Sequence, residues 1–156
     1  MRIFTLLFLL VFGFAAHAQV FYDDFDSAPT LGVGMSNAVW SGGVTGAFNG
    51  VTGTCYSYQG SATSVTFSLS FDIAEGTFLD ISNINVRLRR SGTGAGATFS
   101  STVNGTPAVF MPTAVTVDAF AVHTSNTLFT HLSGTVTNEF VFNGATPGAT
   151  CANGTA

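Results

Sequence analysis

The chain has 156 residues, of which 46% are hydrophobic, 13% aromatic and 8% charged, with a formal net charge of −4. That aromatic content excludes a disordered segment, which lacks the apolar side chains to fill a core. Its four cations are all arginines; neutralising a phosphate backbone takes many more, so DNA and RNA are excluded as partners.

Taken in order, Arg2, the apolar run over residues 3–16 and the small-x-small Ala16-His17-Ala18 read as a secretory signal peptide over residues 1–18. The run is too short between its flanks to span a membrane. Residues 19–156 are then a single domain's worth of chain, with no later stretch of transmembrane length. Val20-Phe21-Tyr22 predicts a short strand that ends in an acidic knot, Asp23-Asp24-Phe25-Asp26, before Pro29 breaks the ladder. Residues 31–62 are Gly-rich, with weak strand candidates at 44–48 and 55–58.

The strongest signal is residues 64–73, Ser-Val-Thr-Phe-Ser-Leu-Ser-Phe-Asp-Ile, apolar at every odd position and polar at every even one. Successive side chains leave a strand on opposite faces, so this is a strand with one dry face. The alternation returns in Ile84, Val86 and Leu88 against Asn85, Arg87 and Arg89, and again in Ala95, Ala97 and Phe99. Asn104-Gly105 predicts a two-residue hairpin turn. Residues 115–122 are apolar on both parities, which predicts a strand buried on both sides or one crossing between sheets. Strands at 128–132 and 136–142 follow. No helical period persists after the leader. About nine short strands at roughly 8–12-residue spacing predict an all-β antiparallel sandwich of jelly-roll type.

Cys55 and Cys151 are the two cysteines, 96 residues apart. In an exported chain an even pair reads as a disulfide, worth roughly 4–5 kcal/mol in the chain-entropy model; two free thiols are the alternative.

The run Ile84-Asn85-Val86-Arg87-Leu88-Arg89-Arg90-Ser91-Gly92-Thr93-Gly94, preceded by Phe71-Asp72-Ile73, resembles a β-sandwich module of secreted bacterial proteins. Those proteins often carry type IX or PEP-CTERM sorting signals. The resemblance covers about residues 60–156 and is most specific at Arg89-Arg90-Ser91-Gly92-Thr93-Gly94; at Ala95 that family usually has Pro. It implies a jelly-roll-like sandwich, export and attachment at the cell surface. In that family a Gly-Thr such as Gly154-Thr155 leads into a closing strand. The resemblance therefore implies a sandwich truncated by one strand, with a vacant edge near residues 20–25 and poor packing at 151–156.

Candidate chemistry is sparse. Arg90 falls on the inward parity at a strand end, and a buried guanidinium needs a partner; Asp23, Asp24 or Asp26 would supply it. The same three carboxylates could offer oxygen ligands to a structural Ca²⁺. Trp40, Tyr56 and Tyr58 are candidates for a sugar-stacking platform, against the alternative that Trp40 caps the core. His123 and His131 read as solvent-facing strand histidines rather than metal ligands, because no third ligand stands at the required spacing. Asp72 and Glu75 flank a turn and are the one candidate pair of hydrolase carboxylates, yet one is a regular strand residue and the other belongs to the turn. No nucleophile elbow, zinc-binding helix or phosphate loop occurs. The expectation is a secreted or cell-surface, non-catalytic module for adhesion or glycan binding. A structural spacer is the alternative, and a carbohydrate-active enzyme the third reading.

Overall fold

The computed structural model describes residues 21–47, 53–58, 62–90, 97–116, 119–144 and, for the backbone alone, 150–153. The leader expected at 1–18, the Ser91-Gly92-Thr93-Gly94 turn and Pro147-Gly148 lie outside these residues.

Two sheets of six strands carry the fold. The first runs β10 (Thr106–Ala108), β9 (Ala97–Val103), β15 (Thr135–Asn143), β6 (Ser64–Ile73), β3 (Met35–Ser41), and β12 (Ala114–Val115) adds to β9. The second runs β11 (Phe110–Met111), β13 (Ala121–Ser125), β8 (Ile84–Arg90), β16 (Thr150–Asn153), β5 (Thr54–Tyr58), β4 (Val44–Ala47). Two ribbons complete it, β1 (Phe21–Tyr22) with β2 (Thr30–Leu31), and β7 (Leu79–Ile81) with β14 (Phe129–Leu132). All pairings are antiparallel. The chain changes sheet at most connections, and the late strands β15 and β16 insert between earlier ones. This interleaving is the jelly-roll-like pattern of a sandwich. Among the described residues there is no helix, and hence none long and apolar enough to cross a membrane.

The count differs from the expected nine: sixteen strands lie among the described residues. The reason is that connections pair as well. Residues 106–115 break into three short pieces that serve alternate sheets, and the crossovers containing β7 and β14 pair with each other.

Alternation builds the core as expected. Val65, Phe67, Leu69, Phe71 and Ile73 of β6 are all buried, as are Val136, Phe140 and Phe142 of β15. They meet the second sheet through rings: Tyr56 lies edge-on to Phe67 at 5.3 Å, and Phe110 to Phe99 at 5.0 Å. Such pairs add about 0.5–1.5 kcal/mol each beyond the area they bury. The hairpin at Asn104-Gly105 forms, with φ of 47° and 77° at its two residues, as a type I′ turn requires. The Asn104 side chain fixes it to β15, its Oδ1 accepting from Thr137 N at 2.8 Å. Val115 ends β12 in the first sheet and Ala121 opens β13 in the second, so the described parts of this stretch belong to different sheets.

Of the C-terminal segment the backbone of β16 is described, and residues 154–156 lie outside the described residues. Cys151 in β16 pairs with Ser57 on one side and Arg89 on the other, so this segment sits inside a sheet. At the N-terminus, β1 pairs with β2 alone among the described residues.

Candidate functional site

The acidic knot is hydrogen-bonded to strands of both sheets. Asp23 is buried, and its two oxygens accept from Phe25 N at 2.8 Å and from the Trp40 indole at 2.9 Å. Asp24 turns back on its own loop, accepting from Asp26 N and Ser27 N. Asp26 accepts from Thr54 N at 2.8 Å. Trp40 belongs to β3, the edge strand of the first sheet, and Thr54 to β5, next to the edge strand β4 of the second, so the knot ties one sheet to the other. Pinning of the N-terminal segment is thus done by Trp40 and Thr54, where Arg90 was the expected partner. The three carboxylates thus hold different donors. Among the described residues no group of three His, Cys, Asp or Glu could hold a metal ion.

The expected platform rings are core residues. Trp40 packs on Phe25 at 5.3 Å, Tyr56 at 5.5 Å and Phe140 at 6.1 Å. Tyr56 is buried, and its hydroxyl accepts from Gly43 N at 2.9 Å. Tyr58 is half-buried against the same cluster. Trp40 itself is half-buried against the core cluster, with its indole N–H held by Asp23.

On β8, Leu88 is fully buried and Arg90 lies buried on the same side at the strand's end, its N–H donating to Thr116 O at 3.0 Å. Arg89, expected to face solvent, is buried too, with its guanidinium 5.7 Å from the Phe120 ring. Arg87 lies over the same ring at 5.3 Å. His123 is a correction: it is fully buried, with Nδ1 bonded to Pro112 O and its ring edge-on to Phe99 at 4.8 Å. The cause is register. His123 stands directly opposite Val86, and residues directly opposite share a face.

Asp72 accepts from Asn37 Nδ2 at 2.8 Å and Thr135 Oγ1 at 2.7 Å. The Asn37 amide, and then the Thr135 hydroxyl, hold its carboxyl below the ordinary value of 3.8. A general acid needs the opposite shift. Glu75 is exposed in the turn after β6. The fully buried Cys55 lies on β5, and Cys151 stands opposite Ser57, two positions along the same strand.

At one end of the sandwich, the connections from β6 to β8 and from β13 to β15 pair as the β7·β14 ribbon. Loops from both sheets gather there, through Ala74 N to Gly34 O at 2.8 Å, Ile73 N to Gly134 O at 2.9 Å and Val109 N to Thr127 Oγ1 at 3.0 Å. In the ribbon Phe129 pairs with Ile81 and Leu132 with Leu79, so β14 carries one extra residue. That is a bulge. It lets Phe129 and Leu132 both pack on the core and leaves Thr130 and His131 exposed. His131 takes φ 56°, and its N–H donates to Asp80 Oδ1 at 2.7 Å. The Phe78 ring lies 5.7 Å from the His131 ring. Phe78 is 67% exposed, the one exposed ring among the described Phe, Tyr and Trp residues. Sequence reasoning missed it, although a signal exists: the neighbours Phe78-Leu79 cannot both point inward from a strand.

No protein-family model matches the chain, no curated protein matches it, and no solved structure matches it.

Proposed function

We propose that the chain is a secreted or cell-surface β-sandwich module that is non-catalytic and works by adhesion, through glycan binding. The observation that carries this reading is that, of the eight exposed large apolar side chains among the described residues, Val33, Phe78, Val109 and Leu128 lie on the loops of one end, the other four being on strands. Exposed apolar groups gathered on loops mark an interaction surface. The groups that chemistry would need are otherwise engaged: Asp23, Asp26 and Asp72 hold backbone and side-chain donors in place.

Export by a signal peptide at residues 1–18, likeness to the secreted bacterial sandwich modules, and a Cys55–Cys151 bridge belong to the same proposal. The bridge draws support from topology, since β5 and β16 are hydrogen-bonded neighbours despite their distance in sequence. Mass spectrometry of the exported protein without reductant should find the two cysteine peptides cross-linked; two alkylatable thiols would overturn the bridge. The function is tested on a glycan array alongside a hydrolase screen. Binding without turnover is expected. Turnover lost in Asp72→Asn and Glu75→Gln would replace this reading with an enzyme, and no binding at all would leave a spacer.

A further inference from the structure

We infer that the outer face of the β7·β14 ribbon is the glycan site, with Phe78 as its stacking ring, and that it takes an uncharged pyranose polysaccharide. This rests on the glycan reading proposed above and gives it a place and a ligand class.

A pyranose presents an apolar face of C–H groups and a rim of hydroxyls that need directional partners. An aromatic ring covers the first only if its own face is open to water. Among the described residues Phe78 is 67% exposed and has one ring neighbour, His131 at 5.7 Å, whereas Trp40 and Tyr56 are each packed against three rings. The rim needs donors and acceptors that the protein has not already used. Asp80 is exposed two residues after Phe78, and its Oδ2 accepts no hydrogen bond among the described residues. Its Oδ1 takes only the His131 N–H. The His131 imidazole makes no hydrogen bond through its ring nitrogens among the described residues, and one of them donates while the other accepts. Thr130 adds a hydroxyl from the bulge. Beside the ribbon, Asn83 and Asn126 are joined amide to amide at 2.7 Å, each exposed.

The backbone argues in the same direction. His131 is held in left-handed conformation in an exposed bulge, where no buried side chain offsets the cost. Bulges re-aim side chains, and strain of this kind gathers at binding sites. The ligand class follows from charge. Asp72, Glu75 and Asp80 belong to this end, and the nearest arginine in sequence, Arg87, stands three residues into β8, about 10 Å along the strand. An acidic sugar would meet carboxylates of its own sign, while a neutral one meets acceptors for its hydroxyls.

The test is retention of the full chain on insoluble cellulose, chitin, β-1,3-glucan and starch, with alginate and heparin as acidic controls. Retention on at least one neutral polymer is expected. Phe78→Ala should weaken it tenfold or more with an unchanged thermal midpoint, because Phe78 is not a core residue. Phe78→Trp should restore it, and Asp80→Asn should weaken it severalfold. Neutral-polymer binding that survives Phe78→Ala would overturn this site and leave the glycan reading standing. Binding to alginate or heparin alone would overturn the neutral class. Binding to none would overturn the site and the glycan reading together.

Discussion

The knot and the ribbon contain the same local device. In each, a residue other than glycine takes left-handed backbone, Phe25 at φ 62° and His131 at φ 56°. In each, its N–H is held by a carboxylate two or more residues away, Phe25 by Asp23 at 2.8 Å and His131 by Asp80 at 2.7 Å. What surrounds the device differs. Around Phe25 the ring is buried against Trp40 and Tyr56, and both oxygens of Asp23 are taken. Around His131 the ring is exposed, and one oxygen of Asp80 is left over. A left-handed L-residue costs about 1–2 kcal/mol. Burial of the Phe25 ring more than offsets that cost, and nothing in the ribbon does the same for His131. Identical chemistry is structural in the knot and available in the ribbon.

The comparison breaks first at Phe25. Phe25→Gly relieves the backbone but removes a core ring, whose loss costs about 3–5 kcal/mol in comparable sites. A net destabilisation of about 3 kcal/mol is expected from urea midpoints. A change within about 0.5 kcal/mol would mean that the knot does not pin the sandwich.

Asp23→Ala is expected to follow, at about 2–3 kcal/mol, since it orphans the Trp40 indole N–H and the Phe25 N–H together. Asp80→Ala, made at the matching carboxylate in the ribbon, should stay within about 1 kcal/mol because the site is exposed. Equal losses in the two variants would erase the distinction between the regions.

The sign itself should reverse at His131. Glycine takes positive φ freely, so His131→Gly is expected to stabilise the fold by about 0.5–1 kcal/mol, after the extra entropy that glycine loses on folding. A lower urea midpoint than wild type would show that the imidazole makes a stabilising contact, and that the ribbon is a second knot.

These differences explain what could be read beforehand. The odd-numbered apolar positions of β6 carried their burial in the sequence, because a strand's two faces alternate by geometry alone. Asn104-Gly105 carried its turn for the same local reason. The direction of His123 did not, because it depends on standing opposite Val86, a pairing made far away in sequence. Nor did the burial of Arg89 beside Arg90, where strand alternation predicted opposite environments. Trp40 was ambiguous until Asp23 was seen to accept its indole N–H. Phe78 was half-hidden for a related reason: Phe78-Leu79 implies that one of the two faces outward, but which one depends on β7 pairing with a bulged β14.

The smallest effect separates the two regions by pH. Asp26 in the knot has its carboxyl held below the ordinary 3.8 by the Thr54 side chain and then the Thr54 N–H. Asp72, at the ribbon end, is held below it by Asn37 and then Thr135. A carboxyl whose folded value lies below its unfolded one binds protons more readily when unfolded. Its stabilisation is therefore present above the unfolded value and is lost as pH falls through the folded one. Urea midpoints should decline as pH drops from about 5 to about 2. Asp26→Asn and Asp72→Asn should each lower the midpoint slightly at neutral pH and flatten that decline. Both carboxylates lie at the solvent-facing surface, so screening keeps each contribution small, and added salt should shrink it further. In each variant the new amide oxygen can still accept, from the Thr54 N–H at one site and from the Asn37 amide at the other, and its NH2 can donate to the neighbouring Thr hydroxyl, which accepts as well as donates. A decline as steep as wild type in the double variant would assign the acid sensitivity to other groups.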